Sequence, residues 1–319
     1  MKEVTFIRQN LDKWRGYENV AETARISTPD EIAEAYIDVT TDLAFAQTHY
    51  PLSRITLYLN NLASALHNEI YRVKRERWSR LFTFWTQEMP QTIWEARREL
   101  LTSFIIFIIS IAIGVLSQWL DPDFARMFLG NAYVEMTLDN IERGEPMSVY
   151  GSMPEDMMFG MITMNNIYVS FITFVMGLFT SFGTGIMLFR NGVMVGVFQT
   201  FFAQQDLLWE SMLGIWLHGT IEISSIVVAG AAGIALGNGW LFPGTYSRLQ
   251  SFRQGAKRGL KIVVGTVPLF CIAGFIESFI TRHTEWPVTV RLTIILLSAA
   301  FIIWYFVILP YRRRPIIEH

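Results

Sequence analysis

The sequence predicts an all-α membrane protein, in which a soluble helical region and an interfacial amphipathic helix precede about six transmembrane or re-entrant helices. Its 319 residues are 51% hydrophobic and only 17% charged, whereas a soluble domain usually carries about a quarter charged residues. Residues 99–120 and 289–309 are each apolar over about 20 residues, the length that a helix needs to cross a bilayer. The charges are concentrated in the first third of the chain, since residues 1–100 contain 13 Lys/Arg and 14 Asp/Glu.

The composition disfavours several classes of function. The first hundred residues have no basic excess, so a nucleic-acid partner is not expected. Cys271 is the only cysteine, which excludes an intrachain disulfide and a multi-thiolate metal site. The stretch MKEVTFIRQNLDKWRG lacks the apolar core of a secretory signal, and residues 1–95 are therefore expected to lie in the cytosol.

Residues 1–95 are predicted to form a soluble helical region. The stretch STPDEIAEAY is typical of a helix start, with Thr28 as the cap, Pro29 in the first turn and acidic residues near the positive end of the helix dipole. Apolar residues three and four apart then indicate a helix with one apolar stripe. The stripe consists of Leu52, Ile55, Leu59, Leu62, Leu66 and Ile70. Two or three packed helices or a coiled-coil pair explain this region, and a face that docks a partner is the alternative.

The stretch KRERWSRLFTFWTQEM is predicted to form an amphipathic helix near residues 75–89 that lies in the membrane interface. Its apolar and aromatic side chains share one helix face and arginines flank them, which suits a helix at the level of the lipid headgroups. The face contains Trp78, Leu81, Phe82 and Trp85, and the flanking residues are Arg75, Arg77 and Arg80. Pro90 is expected to end this helix, so that an elbow leads into a transmembrane domain at residues 96–314.

Two more segments, residues 160–189 and 259–280, are predicted to cross the membrane. Between them, residues 192–237 are apolar but are interrupted by AQQDLLWE. One alternative is two crossings, in which the first helix is tilted and continues through the interruption. The other alternative is a pair of re-entrant helices. Irregular backbone at that depth is stable only under cover of protein or water.

The connection at residues 121–157 is predicted to lie outside the cell. It contains eight acidic residues and two arginines. Its apolar residues are numerous enough for short helices that lie over the membrane, either as a cap on the protein's own helices or as a site for a partner. These apolar residues are Met127, Phe128, Tyr133, Met136, Leu138 and Ile141.

Basic residues in the other connections predict the orientation, because Lys and Arg are enriched in cytoplasmic loops. If the chain crosses the membrane six times, the basic residues of these connections all lie on one side, and both termini lie in the cytosol. Two re-entrant halves at residues 192–237 would place both termini on the same side as well. The residues are Arg97, Arg98, Arg190, Arg248, Arg253, Lys257, Arg258, Lys261, Arg312, Arg313 and Arg314.

Ionisable and amide side chains inside the apolar segments form the candidate functional set. They are His218, Glu222, Glu277, Asn165, Asn166 and Asn191. Such residues are rare in membrane-spanning helices and usually face a bundle interior, a partner or a water-filled cavity. Because His218 and Glu222 are four residues apart, they are neighbours on a helix and can hydrogen-bond to one another. A polar clamp that fixes helix register and a pathway for an ion, proton or small solute are both compatible with the set.

A catalytic or metal site is the least favoured interpretation of these residues. Metalloprotease chemistry needs the H-E-x-x-H spacing, and no second histidine lies near His218 in the sequence. The stretch GAAGIALGNG resembles a dinucleotide fingerprint only superficially, since no strand precedes it. We therefore expect no enzymatic activity and no cofactor.

Small residues recur every four positions in the same segments, which predicts close packing between helices. The longest series is Ser225, Ala229, Gly233 and Gly237. The glycines predicted at close helix contacts are Gly177, Gly185, Gly192, Gly219, Gly233 and Gly237. His218 and Glu222 are therefore expected in a tightly packed interior or a subunit seam, away from lipid.

Three stretches together resemble the stage II sporulation protein M family: MNNIYVSFITFVMGLFTSFGTGIMLFRNGVMVG, HGTIEISSIVVAGAAGIALG and PLFCIAGFIESFITR. The resemblance covers residues 97–310. The residues that match the family pattern are Asn165, Asn166, Asn191, Gly192, His218, Gly219, Glu222, Gly233 and Glu277. It implies a multi-pass protein of the prokaryotic cytoplasmic (inner) membrane with no assigned enzymatic activity.

The resemblance also implies partners. In spore formers the named member of the family acts in engulfment, alongside proteins that remodel peptidoglycan. Most relatives belong to prokaryotes that do not sporulate, and their genes often lie beside those for a MoxR-type ATPase. The helical region at residues 1–95 departs from the sporulation form, which favours the broader branch of the family.

Two functions are compatible with these observations. The first is a homo-oligomeric membrane scaffold, such as a homodimer, for cytosolic or cell-envelope partners, which the front helical region and the acidic outer connection favour. The second is a channel or transporter for an ion or small solute. The interrupted segment and the buried His, Glu and Asn residues favour the second, because broken helices and polar groups at mid-depth often form substrate sites.

Overall fold

The computed structural model describes residues 2–22, 28–71, 79–148, 153–283 and 285–314. These residues form helices joined by turns and contain no strand, which confirms the all-α fold class. The chain divides into two compact units, Met1–Arg77 and Trp78–His319, each with its own apolar core. The boundary predicted at residue 95 differs from this division, because the elbow belongs to the second unit.

The described residues of the first unit form three helices: α1 (Glu3–Glu22), α2 (Pro29–His49) and α3 (Arg54–Tyr71). Trp14 of α1 is fully buried, and its indole Nε1 donates a hydrogen bond to Asp42 Oδ2 at 2.8 Å. Lys13 Nζ pairs with the same carboxylate oxygen at 2.6 Å. The burial of Trp14 therefore leaves no unsatisfied indole hydrogen, and it attaches α1 to α2.

The apolar stripe predicted on the third helix contributes to this core. Ile55, Leu59 and Leu66 are buried among apolar side chains of α1 and α2. The buried stripe is shorter than predicted at both ends. Leu52 precedes the helix and is fully exposed, and Ile70 in the last turn of the helix is 41% exposed.

The second helix begins at the predicted cap. Thr28 Oγ1 accepts a hydrogen bond from the Glu31 amide at 3.3 Å, and Glu31 Oε2 accepts one from the Thr28 amide at 2.7 Å. The two side chains therefore satisfy two amides that have no partner within the helix.

Replacing Thr28 with alanine is expected to destabilise the start of α2 by about 1 kcal/mol, because the Glu31 amide loses its acceptor. Hydrogen exchange of the first-turn amides should become faster. Thr41→Ala is the matched control, because the Thr41 hydroxyl donates to the Ile37 carbonyl of its own helix and caps nothing. Equal exchange rates in the two variants would contradict the capping role.

The elbow before the first membrane helix is continuous through Pro90. It consists of α4 (Ser79–Thr83), a π-helical turn (Phe84–Glu88) and α5 (Met89–Glu95). The prediction that Pro90 ends the amphipathic helix is wrong, because the helical conformation continues from the π-helical turn through this residue into α5. The elbow ends instead at Ala96, which leaves the helical conformation (φ −93°, ψ 19°).

One face of the elbow packs on the membrane helices. Met89 is fully buried, and Trp85 Nε1 donates a hydrogen bond to the Gly265 carbonyl at 3.2 Å. Leu81 and Phe82, which we predicted on one face with Trp85, are exposed. Three residues predicted for the interfacial helix, Arg75, Arg77 and Trp78, lie outside the described residues.

Beyond the elbow, the described residues of the second unit contain five helical stretches that are long and apolar enough to cross a membrane. Their helices are α6 (Arg97–Leu120), α9 (Glu155–Val175), α10 (Thr180–Gln204), α11 (Leu208–Leu241), α12 (Arg248–Phe275), α13 (Val288–Ile303) and α14 (Leu309–Arg312). Two short helices, α7 (Phe124–Leu129) and α8 (Asn131–Glu142), lie in the connection after α6. A 3₁₀ turn (Met176–Phe179) joins α9 to α10, and π-helical turns follow α12 (Ile276–Ile280) and α13 (Trp304–Ile308).

The 50-residue stretch Glu155–Gln204 is two helices that fold back on one another. Thr180 has a φ of 64° at the end of the 3₁₀ turn, where the chain reverses. Thr184 Oγ1 donates a hydrogen bond to the Thr173 carbonyl at 3.0 Å. Eleven residues of straight helix would hold these groups about 16 Å apart. The described residues of the second unit therefore include six apolar helical segments of membrane-spanning length: α6, α9, α10, α11, α12 and the continuous segment from α13 to α14.

Two predicted boundaries are wrong for this reason. The turn after α9 falls inside the segment 160–189, which we predicted as one crossing. This turn, MGLFT, contains no polar turn residue except its last threonine, so hydropathy does not reveal it. The segment 192–237 is neither a re-entrant pair nor a helix that continues through AQQDLLWE, because α10 ends at Gln204 and α11 begins at Leu208.

The central helix of the second unit is α11, which is buried along most of its length. It runs antiparallel to α10, since Gly230 lies next to Leu188 and Gly237 next to Ser181. Its opposite side packs on α12. Polar side chains in the buried part of α11 are therefore kept away from lipid by the helices around it.

The connection between α6 and α9 folds into short helices, as predicted. Ala125 of α7 and Val134 of α8 are buried in a cluster with Phe201 and Phe202 of α10. Burial also raises the pKa of Tyr133 to about 12. The connection thus caps the protein's own helices, and its use by a partner stays a prediction.

Candidate functional site

His218 lies in the first half of α11, and only 6% of the residue is exposed. Its ring nitrogen Nε2 is 3.7 Å from Glu277 Oε1, and its Nδ1 is 3.2 Å from Thr281 Oγ1. Both partners come from the end of the α12 segment: Glu277 lies in the π-helical turn and Thr281 follows it directly. Such turns are frequent at functional sites.

The hydrogen bonds around His218 are compatible with the tautomer in which Nδ1 carries the hydrogen. Thr281 Oγ1 donates its hydrogen to the Ile276 carbonyl at 3.2 Å, so its oxygen is the acceptor for a hydrogen on His218 Nδ1. A neutral imidazole carries one N–H group and one acceptor nitrogen. In this tautomer the lone pair of Nε2 is directed towards the Glu277 carboxyl group.

Glu222 completes a cluster of three side chains, defined here as His218, Glu222 and Glu277. One ligand atom of each residue lies within 4.8 Å of those of the other two. Glu222 Oε2 is buried and has no hydrogen-bond partner among the described residues. The sequence predicted His218 and Glu222 as neighbours on one helix, and the structure adds Glu277 from another.

The cluster borders a cavity of about 630 Å³ between α9, α10 and α11. The polar side chains that line it include Asn165, Asn166, Arg190, Asn191, Gln199, His218 and Glu222. Its apolar wall includes Phe107 of α6 and Ile226 of α11, and Tyr133 of α8 lies at the end formed by the connection between α6 and α9. Five of the six polar residues predicted from the sequence thus face one space, and Glu277 adjoins it through the cluster.

Arg190 differs most from its predicted place. We expected this residue in a cytosolic connection, but it lies midway along α10 because the chain already turns at residues 176–180. Arg190 is exposed and lines the cavity. A charge at mid-depth is tolerated where it faces water, a partner or a polar cavity. Its position between the apolar stretches GIMLF and GVMVG is the sequence signal that could have identified it.

Two further residues of the site were missed. Gln199 lies in the apolar stretch GVFQTFF, and Thr281 at the end of another. A single amide or hydroxyl in an apolar segment is a weak signal, because such groups often bond to their own helix. Only the three-dimensional contact with His218 singles out Thr281.

Four of the six glycines predicted at close helix contacts lie at such contacts: Gly177, Gly192, Gly233 and Gly237. A Cβ atom on Gly233 would be 2.7 Å from the Thr173 carbonyl oxygen, closer than real contacts allow. The prediction is wrong for Gly185, which has nothing within 4 Å of such an atom. It is also wrong for Gly219, whose Cβ would meet only side chains of its own helix at 3.5 Å, and which lines the cavity.

A smaller, charged pocket of about 320 Å³ lies between the elbow and α12. Lys261 Nζ donates a hydrogen bond to Glu88 Oε2 at 2.7 Å, and Arg258 pairs with Glu95 at 3.4 Å. The hydrogen bond from Lys261 lowers the pKa of Glu88 below its ordinary value. These pairs fasten the elbow to α12.

Glu88→Gln is expected to lower the free energy of unfolding by about 1 kcal/mol at pH 7, because a partly exposed charge-assisted hydrogen bond is lost. Since folding lowers the pKa of Glu88, its contribution is fully present above the ordinary pKa of 4.5 and is lost as the pH falls through the lowered pKa. Melting temperatures of wild type and variant in detergent should therefore differ at pH 7 and converge in acid.

The matched control is Glu95→Gln. The Glu95 side chain is 56% exposed, so solvent screens its pair with Arg258, and the loss should be smaller. An equal loss in both variants, or a Glu88→Gln effect that is unchanged in acid, would show that the Lys261 pair does not stabilise the elbow.

Known protein families match both units of the chain. A family model described as Stage II sporulation protein M matches residues 103–282, which is more than half of the chain. A second model, described as a domain of unknown function, matches residues 4–72, within the first unit. No curated protein and no solved structure matches the chain. The first match includes the whole cluster and the residues that line the cavity.

Proposed function

The chain belongs to the stage II sporulation protein M family, a family of membrane proteins, and on that premise we propose that it is a channel or transporter for an ion or small polar solute. The cavity is the observation that carries the proposal, because polar side chains of three membrane helices face one space of about 630 Å³. Polar groups at this depth are costly unless they face water, a ligand or a partner. Small-molecule sites are typically clefts of about 300–1,000 Å³.

The rest of the bundle favours a transporter over a permanently open pore. The cavity reaches the outer connection at Tyr133, but the same helices are tightly packed in their other half. There the backbones of Gly177 and Gly233 approach each other, and so do those of Gly237 and Ser181. A solute would therefore enter from one end and leave only after these helices separate.

Gly219→Phe is the variant that tests this function. The new side chain would enter the cavity, and its Cβ meets only Ile215 and Ile223 of its own helix at 3.5 Å. Purified protein in proteoliposomes would be assayed for uptake of protons, sodium, potassium and zinc. We expect uptake of at least one ion by wild type and a loss of about tenfold or more in Gly219→Phe. Uptake of none of them, or uptake that Gly219→Phe leaves unchanged, would contradict the proposal.

A homo-oligomeric scaffold is the second candidate function. The first unit has its own core and matches a separate domain family, which suits a module that recruits cytosolic partners such as a MoxR-type ATPase, or cell-envelope proteins. The molecular mass of the protein in lipid nanodiscs shows whether it forms an oligomer. A scaffold of this kind should have at least twice the 36.7 kDa mass of the chain, and a monomer would count against it.

We also propose the cytoplasmic membrane of a prokaryote as the location, with both termini in the cytosol and no enzymatic activity. Arg97, Arg248 and Arg312 lie at the same end of the bundle, the end opposite α8, as expected for the cytosolic side. A cysteine at the exposed Asp139 of α8, in a Cys271→Ser background, should react with an impermeant maleimide in intact cells. Reaction only after lysis would reverse the orientation.

A further inference from the structure

We propose that His218, Glu222 and Glu277 bind a divalent transition-metal cation at the edge of the cavity. This inference goes beyond transport and does not depend on it, since the ion could be structural or be the cargo. The sequence disfavoured a metal site because the H-E-x-x-H spacing is missing and no second histidine lies near His218. The third ligand comes from the π-helical turn after α12, a contact that only the fold creates.

The distances suit one small ion. Zinc binds imidazole nitrogen and carboxylate oxygen at about 2.0–2.2 Å, so two of its ligand atoms are about 3–4 Å apart. His218 Nε2 and Glu277 Oε1 are already 3.7 Å apart. The ligand atoms of all three residues lie within 4.8 Å of one another, so rotations that move them by less than about 1 Å would complete the coordination.

The histidine is already arranged as a ligand. With its hydrogen on Nδ1, His218 donates to Thr281 Oγ1, and the acceptor nitrogen Nε2 then faces Glu277 at 3.7 Å. Metal-binding histidines are usually held in this way, by a hydrogen bond from the nitrogen that does not bind the ion. Thr281 is thus the residue that orients the ligand.

The charges balance when the ion is bound. Two carboxylates and a neutral imidazole carry two negative charges, which a divalent cation neutralises. The Glu222 carboxylate has a hydrogen bond to Asn166, but its Oε2 is buried and has no hydrogen-bond partner among the described residues, which is costly for a charged group. A bound cation would supply this partner. A proton shared between Glu222 and Glu277 would also lower the charge of the pair, and the experiment must distinguish the two explanations.

The ligand types indicate the class of metal. One imidazole and two carboxylates favour zinc, manganese or ferrous iron over calcium and magnesium, which prefer oxygen ligands alone. The absence of thiolate from the cluster disfavours cuprous copper. Three protein ligands beside a cavity leave room for water or a solute in the next coordination position.

Zinc binding to untagged full-length protein in nanodiscs tests the site, by equilibrium dialysis and metal analysis. We expect one zinc per chain in wild type and a loss of affinity of about 100-fold in Glu222→Gln and in Glu277→Gln. Glu210→Gln, at an exposed carboxylate on the same helix, is the matched control and should bind like wild type. No bound zinc in wild type, or equal affinity in all four proteins, would overturn the proposal in favour of a shared proton.

X-ray absorption at the zinc edge gives a second measurement that misfolding cannot imitate. It should show only nitrogen and oxygen neighbours at about 2.0–2.2 Å, and an imidazole contribution that disappears in His218→Gln. Unchanged spectra in His218→Gln would place the zinc elsewhere. Zinc binding without any ion uptake would refute transport but keep the metal site, and uptake without zinc binding would refute the metal site alone.

Discussion

Gly233→Val is expected to prevent the stable assembly of the membrane helices. A Cβ atom at this position would be 2.7 Å from the Thr173 carbonyl oxygen and 2.9 Å from Thr184 Cγ2. Thr184 also bonds to Thr173, so neither atom can move without opening the reversal between α9 and α10. Overpacking of a well-packed core costs typically 1–3 kcal/mol, and a clash with backbone should reach about 3 kcal/mol or more.

The measurement is the melting temperature and the elution profile of the protein in detergent. Gly185→Val is the matched control, because nothing lies within 4 Å of a Cβ at Gly185 on α10. This control should elute and melt like wild type, since valine is no worse than glycine in a helix. Equal behaviour of the two variants would mean that α11 does not contact the α9–α10 reversal as described.

Phe270→Ala should produce the second-largest loss of stability. Phe270 on α12 is fully buried in a cluster with Phe107, Leu188 and Ile234, which come from three other helices. Truncation of a buried phenylalanine costs about 3–5 kcal/mol. We expect a loss near the lower end of this range, because association between membrane helices is driven by packing and not by the exclusion of water.

Phe275→Ala on the same helix is the control for this variant. The Phe275 residue is 50% exposed, so its truncation removes few contacts and should change the free energy of unfolding by less than about 1 kcal/mol. The order of the two melting temperatures reports which face of α12 packs inwards. A greater loss in Phe275→Ala would contradict the arrangement of the helices.

Much of the fold was predictable because it depends on local patterns. Thr28 and Glu31 form the predicted cap, and the apolar periodicity of α3 and the length of α6 need no long-range information. The reversal at residues 176–180 was not predictable in this way, since its residues are as apolar as the helices that it joins. Hydropathy measures burial in lipid and is insensitive to a turn that neighbouring helices cover.

The candidate site also combines features that the local sequence predicts with features that depend on long-range contacts. His218, Glu222 and Glu277 could be identified from the sequence, because ionisable residues are rare in apolar segments. Their convergence could not be derived, because it depends on the contact between α11 and the π-helical turn after α12. Arg190 was misplaced for a related reason: one wrong helix boundary moved a charge of the cavity into a loop.

The reactivity of cysteines on α10 tests most directly whether the polar residues face a water-accessible cavity. In a Cys271→Ser background, Asn191→Cys places a thiol in the cavity, and Ile186→Cys places one on an exposed apolar face of the same helix. Water-soluble methanethiosulfonate reagents react with the thiolate, which forms only in water. In lipid vesicles we predict that Asn191→Cys reacts at least about tenfold faster than Ile186→Cys. Equally slow reaction of both thiols would show a dry helix seam and contradict the account.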